Sequence, residues 1–326
     1  MSVIPQEIKF YKSSTITNTG INGGRLSKNT YTSNTLNNVF PSVSPAERTA
    51  GTIRHRKAHI KIDNADDVVS ANKLIFLSDI SSAAGVRNVL FEGTQRNTQA
   101  NITGSEKKHG VGRLNTNVTA GSTTLIADYE TGSAADTVIQ SGDAVYISDD
   151  TNSFEYEVLS VSWTGEQCTI ELTTGLLNDY LAATPTTIST CIKKTNVQPT
   201  VSNWVETSAT GAYDESSYPV LVGNLATIEQ TWTVTFTSST TFNAAGDTIG
   251  SIGSGTISSN FSPNNIDFSA PYFTLSSAGF SGTWATNNTI VFQTHPNSTP
   301  IWIKQIVTAG ASIAIDTSTI TVLVQS

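Results

Sequence analysis

The amino-acid sequence predicts an all-β protein: a discontinuous Ig-like or jelly-roll-like β-sandwich with a small β-barrel-like domain inserted into it. Three observations predict this. Apolar residues recur with a period of two in many short runs, with no long helical pattern and no repeat at a fixed 20–50-residue period. Charged residues make up 13% of the chain, about half the usual ~25%, and 88 Ser and Thr residues take their place while 37% stays hydrophobic. That is the composition of a folded β protein, since disorder needs weak hydrophobicity with strong charge. Finally, residues 300–326 read as two strands whose best partners lie in the first third of the chain. The ends should therefore meet, with most of the middle inserted between them.

Taken in order, residues 1–50 are polar and rich in Asn, Thr, Gly and Ser, and only Ile8 to Tyr11 looks like a strand. Residues 18–37 have little periodicity. They are expected as an extended arm, lying along a neighbouring subunit, or as a long surface loop. Pro45-Ala46-Glu47-Arg48 can form one helical turn, capped by Ser44, with Pro45 at the first position and Gly51 as its end. Residues 52–64, TIRHRKAHIKIDN, form a strand with Ile53, His55, Lys57, His59 and Lys61 on one face and Arg54, Arg56, Ala58, Ile60 and Ile62 on the other. Residues 71–78 and 89–92 supply further strands, with Asn64-Ala65-Asp66-Asp67 as turn chemistry between the first two.

From Val118 five short strands follow at a spacing of about 10–15 residues, which reads as a small barrel or sandwich. Asp149-Asp150-Thr151-Asn152-Ser153 is the hairpin turn inside this group. Residues 195–220 read as a polar linker. Residues 227–242 then form a strong strand with Trp232, Val234 and Phe236 on one face and Thr231, Thr233, Thr235 and Thr237 on the other. At the end, Ile301, Ile303 and Gln305 oppose Trp302, Lys304 and Ile306. Thr308-Ala309-Gly310 breaks the run, and Ile320, Val322 and Val324 alternate with Thr319, Thr321 and Leu323. The expected division is 1–113 with 288–326 as the outer sandwich and 114–196 as the small β domain. Residues 197–287 are a third module or additional strands of the sandwich.

The net charge of −8 hides an asymmetry. Residues 1–113 carry 15 Lys and Arg against 8 Asp and Glu, and residues 114–326 carry 3 against 18. A positive end and a negative body suit head-to-tail packing of copies or docking on an acidic surface. The overall acidity, and the lack of aromatics among the positive charges, argue against nucleic acid. His55 and His59 share one strand face about 13 Å apart, too far to hold one metal ion together. The acidic residues Asp149, Asp150, Glu155 and Glu157 lack the spacing of a calcium loop. Cys168 and Cys191 are expected free and buried. No nucleophile elbow, metalloprotease motif or phosphate loop is present, so neither catalytic residues, nor a cofactor, nor a metal are expected. A glycosidase needs only two carboxylates, but sparse histidines and low charge speak against it. Trp232 and Trp302 lie within strand alternation and are expected in the core. No secretion signal and no apolar run near ~18 residues is visible, so synthesis in a cytoplasm and no membrane span are expected.

Three segments resemble uncharacterised virion structural proteins of tailed bacteriophages and prophages. The first is EIKFYKSS followed by Leu36-Asn37-Asn38-Val39-Phe40, with Val43-Ser44, Glu47 and Gly51. The second is Gly112-Arg113-Leu114-Asn115 with TAGSTTLIADYE and SGDAVYISDD. The third is EQTWTVTFTS with the long run from NFSPNNIDFSAPYF to IWIKQIVTAGASIA. The resemblance implies a subunit of the virion, assembled in the host cytoplasm as a head decoration, neck, tail or baseplate component. It carries over no catalytic residues. Partners are then other virion proteins and further copies of the chain. Contact residues are expected in the arm, at Asn18, Arg25 and Lys28, and on the basic strand, at Arg54, Arg56, Lys57 and Lys61. The alternative is a receptor- or carbohydrate-binding adhesin, which predicts exposed aromatics and acids at loop tips. A virion-associated hydrolase would instead show a cleft with two converging carboxylates.

Overall fold

The computed structural model describes residues 3–149, 151–312 and 316–325. It is nearly all β, with only short helices at Pro45–Ala50 and Ser133–Asp136 among its described residues besides single 3-10 turns. The strand Thr52–Ile62 lies near the middle of a six-stranded antiparallel sheet. It pairs over ten residues with Ser298–Val307, from Thr52 opposite Val307 to Lys61 opposite Ser298. On its other side Ile8–Thr15 runs antiparallel, with Ile8 opposite Ile62. Val86–Glu92 follows beyond Ser298–Val307, and Gly23–Thr30 and Lys108–His109 form the two edges. A second, three-stranded sheet, in the order Ile192–Val197, Ser70–Leu77, Ile320–Gln325, packs across it. Ala58, Ile60, Leu90, Ile301 and Ile303 from the first sheet meet Ile75, Leu77 and Ile192 from the second. Each large aliphatic side chain buried in this layer stabilises the fold by about 1.5–3 kcal/mol.

Both closing strands thus join sheets begun in the first third, but not the same sheet. The turn at residues 64–67 also differs from expectation. It carries the chain from one layer to the other rather than folding a hairpin, with the Asn64 side chain accepting from the Val68 amide at 3.3 Å. Residues 18–37 are no extended arm. Gly23–Thr30 forms a strand on Ile8–Thr15, with its register shifted twice. Gly23 has a φ of +107°, and a Cβ there would lie 2.7 Å from the Trp302 ring, so only glycine fits. The helix Pro45–Ala50 matches its expected cap: the Glu47 amide donates to Ser44 Oγ at 3.2 Å, and Gly51 ends it at a φ of +79°.

The five strands expected after Val118 are Thr124–Tyr129, Ala144–Ser148, Ser153–Thr164, Gln167–Leu172 and Thr187–Thr190. A sixth, Val111–Leu114, closes them into a barrel. It comes from a polar stretch, and the barrel therefore begins before residue 114. Gly112 makes the closure possible, because a Cβ there would lie 2.8 Å from the Tyr129 ring. Leu125, Ala127, Val145, Ile147, Tyr156, Ile170 and Ile188 fill the interior with Cys168. Val89 of the sandwich packs into the same cluster, and Phe76 stacks on Tyr146 at 4.9 Å beside buried Cys191. Both cysteines are free and buried, as expected, and burial pushes the Cys168 thiol up to about 12.

The third region holds a five-stranded antiparallel sheet, in the order Thr200–Thr207, Thr289–His295, Gln230–Phe236, Thr241–Gly246, Gly250–Thr256. Its inner face carries Trp232, Val234, Phe236, Phe242, Ile290 and Phe292, covered by Tyr213, Phe261, Phe273 and Trp284. Phe236 and Trp284 stack at 4.1 Å. Thr289–His295 belongs to this sheet and not to the outer sandwich as the boundary at 288 supposed. The return to the sandwich starts at Ser298, where the buried Asn297 side chain donates to the Ile62 carbonyl. Trp232 and Trp302 are both fully buried, as expected. Among the described residues no helix is long and apolar enough to cross a membrane.

Candidate functional site

The basic strand does not present its cations outward. Arg54 and Arg56 are 4% exposed, and Lys57 and Lys61 are not exposed at all. A buried charge persists only with partners, and each of the four has them inside the chain. Arg54 donates through Nε and Nη2 to Gln305 Oε1 and through Nη1 to the Pro41 carbonyl at 2.8 Å. Arg56 donates to the Thr17 carbonyl at 2.9 Å, and both guanidinium groups stand over the Phe40 ring. Lys57 Nζ donates to the carbonyls of Gly24 at 2.7 Å and Asn97 at 2.9 Å, beside the Trp302 ring. Lys61 Nζ bridges Asp63 at 2.6 Å and the Leu225 carbonyl at 2.7 Å. The expectation of a subunit contact at Arg54, Arg56, Lys57 and Lys61 is therefore corrected. The strand is internal to its sheet, and both faces are covered by segments distant in sequence.

Of the arm residues, Asn18 is exposed. Arg25 and Lys28 reach the third region of the same chain. Arg25 pairs with Asp247 at 2.5 Å and donates to Thr248 Oγ1, and Lys28 pairs with Asp267 at 2.9 Å. Arg96 strengthens this seam by pairing with Glu229 at 2.6 Å and Asp247 at 3.0 Å, and Glu229 also holds His295 Nδ1 at 2.7 Å. The seam to the barrel uses the same chemistry. Asp136 receives Arg87, with Lys108 at 3.5 Å and Lys304 at 3.8 Å, and Lys107 pairs with Asp143 at 2.7 Å. The positive first third is thus matched by acids of the two other regions within one chain. The charge asymmetry therefore has partners inside the chain.

Burial perturbs several of these groups. It pushes Lys57 down to about 7, only partly opposed by the Glu229 charge, and Lys73 down to about 7 with no opposing charge. It also lowers His59 to about 3, with Lys57 adding to the effect, and His109 to about 3. The His59 ring faces the Gly24 carbonyl at 3.2 Å rather than a second ligand. Among the described residues no group of three or more His, Cys, Asp or Glu side chains is placed to hold a metal ion.

The acidic hairpin is self-satisfied: Asp149 Oδ1 accepts from the amides of Thr151 at 2.7 Å and Asn152 at 2.5 Å. Asp150 lies outside the described residues. An open cleft of about 530 Å³ beside the barrel contains Asp143, Glu155 and Glu157, but Glu155 is held by Lys193 at 2.6 Å and Asp143 by Lys107. Sequence reasoning missed Arg96, Asp136, Glu229 and Asp247 as the seam residues. The one available signal was the charge asymmetry, which gave the sign of the contact and not its partners. No protein-family model, no curated protein and no solved structure matches the chain.

Proposed function

We propose that the chain is a structural subunit of a tailed-phage virion that works through protein–protein contacts and is assembled in the host cytoplasm. The observation that supports this most is where its polar chemistry lies. Ion pairs and buried cations bind the sandwich, the barrel and the third region into one body. The best-formed polar groups are thus engaged between regions rather than gathered around a ligand cleft. The resemblance of three long segments to phage structural proteins points the same way. The adhesin alternative is less well supported, because all five tryptophans are buried or half-buried and only Phe154 and Tyr218 are exposed aromatics among the described residues.

The test is the composition of purified particles. Particles banded from a lysate of the cell that encodes this chain are expected to contain it in many copies by quantitative mass spectrometry. Complete particles that lack it would overturn the proposal.

A further inference from the structure

A sheet edge exposes unpaired backbone N–H and C=O groups, and proteins blunt such edges with charges, bulges, glycines or short length. Every other described sheet edge in this chain is blunted. Gly23–Thr30 has two register shifts and carries Arg25 and Lys28. Lys108–His109 is two residues long. Thr200–Thr207 has a register shift, with Asn203 at a φ of +55°. Gly250–Thr256 is glycine-rich and bulged, and Ile192–Val197 carries Lys193 and Lys194. The strands of the two small two-stranded sheets span two or three residues.

Ile320–Gln325 has none of these devices. Its sequence ITVLVQ contains no charge, proline or glycine. It pairs in unbroken register with Ser70–Leu77, from Ile320 opposite Leu77 to Gln325 opposite Asn72. Its outer side has no strand partner among the described residues. Five aliphatic or β-branched residues in a row remain half-buried there, whereas six of the eight residues in neighbouring Ser70–Leu77 are buried, five of them without a break from Lys73 to Leu77. The sequence is that of an internal strand and the surroundings are those of an edge. Beside it runs a cleft of about 300 Å³ where Leu74, Tyr146, Phe154 and Leu323 meet the polar Asn72, Ser153, Glu155 and Gln325, with Phe154 46% exposed.

We propose that Ile320–Gln325 is the edge through which two copies of this chain join, antiparallel and two-fold symmetric, making one continuous six-stranded sheet from two three-stranded ones. Self-pairing is favoured because a strand without charges places no like charges opposite one another in any register. Each copy would also cover the cleft beside the other's edge. This deepens the structural reading, resting on its claim that the chain works through protein–protein contacts.

The test combines light scattering with amide hydrogen exchange on the full chain, dilute and concentrated. The mass is expected to shift from one chain to two, with amide protection rising with concentration within residues 320–325. The double variant Thr321→Lys, Val324→Lys is expected to keep the melting transition and to stay at the mass of one chain. A wild-type chain that remains monomeric at every concentration overturns the edge pairing. So does a dimer whose added protection lies elsewhere, although that result leaves the structural reading standing. Absence of the chain from particles is the separate result that removes that reading.

Discussion

Lys73→Met is expected to raise the melting temperature by several degrees at pH 6 and to change it little at pH 10. The Lys73 ammonium is fully buried, and its oxygen neighbours, the Ile60 carbonyl and Thr299 Oγ1, both lie at 3.4 Å. Burial alone pushes it from 10.5 down to about 7. Between about pH 7 and 10.5 the unfolded chain therefore holds a proton that the native chain does not. Stability must rise with pH across that window, by up to about 1.4 kcal/mol per unit for each such lysine. Below pH 7 both states carry the charge, and the native state bears its full desolvation penalty. Methionine has similar length and no charge, so replacement should gain about 1–4 kcal/mol at acidic pH, and the gain should fade as the pH rises. Lys57 titrates in the same direction but clamps Gly24 and Asn97. Lys57→Met should accordingly gain less at pH 6 and lose stability at pH 10. Denaturant titrations at the two pH values measure both effects. An equal shift for Lys73→Met at pH 6 and pH 10 would show that the buried ammonium does not titrate as described.

Asp136→Ala is expected to lower stability by about 3–5 kcal/mol at neutral pH, the usual effect of removing one partner from a buried ionic group. Burial works against the Asp136 carboxylate, but Arg87 first and then Lys304 and Lys108 together hold its pKa below the ordinary 3.8. The side chains of Arg87, Lys108 and Lys304 are 9%, 12% and 15% exposed, so without Asp136 three cations crowd one seam with little water. For a carboxylate lowered on folding, the stabilisation is full above its unfolded value and disappears as the pH falls through its folded one. The wild-type advantage over Asp136→Ala should therefore vanish only in strong acid. A loss below about 0.5 kcal/mol would place this pair among ordinary surface ion pairs.

Alternation made most strands legible. Trp232, Val234 and Phe236 fixed one, Ile301 to Ile306 another, and the barrel hairpin followed from its Asp149 turn. The Ser44 cap was legible because its chemistry is local. Partnership was not legible, since it depends on contacts between distant residues. Gly23–Thr30 has no apolar alternation to announce it. Its place depends on Gly23 fitting under Trp302. Val111–Leu114 joins the barrel because Gly112 leaves room for Tyr129. The basic strand misled for the same reason. Charges alternating with Ala58, Ile60 and Ile62 resemble a solvated face. What covers them is Phe40, Gly24, Asn97, Trp302 and Gln305, the last of these 251 positions from Arg54. The charge asymmetry was visible at once, but composition alone cannot distinguish contacts within a chain from contacts between chains.

Light scattering with small-angle X-ray scattering across a salt series tests that distinction. Partly buried ion pairs are weakly screened, and an apolar strand edge is not weakened by salt. The mass and the radius of gyration are expected to stay constant as salt rises from low to high ionic strength. Assemblies that fall apart as salt rises would show instead that the positive and negative halves pair between chains rather than within one.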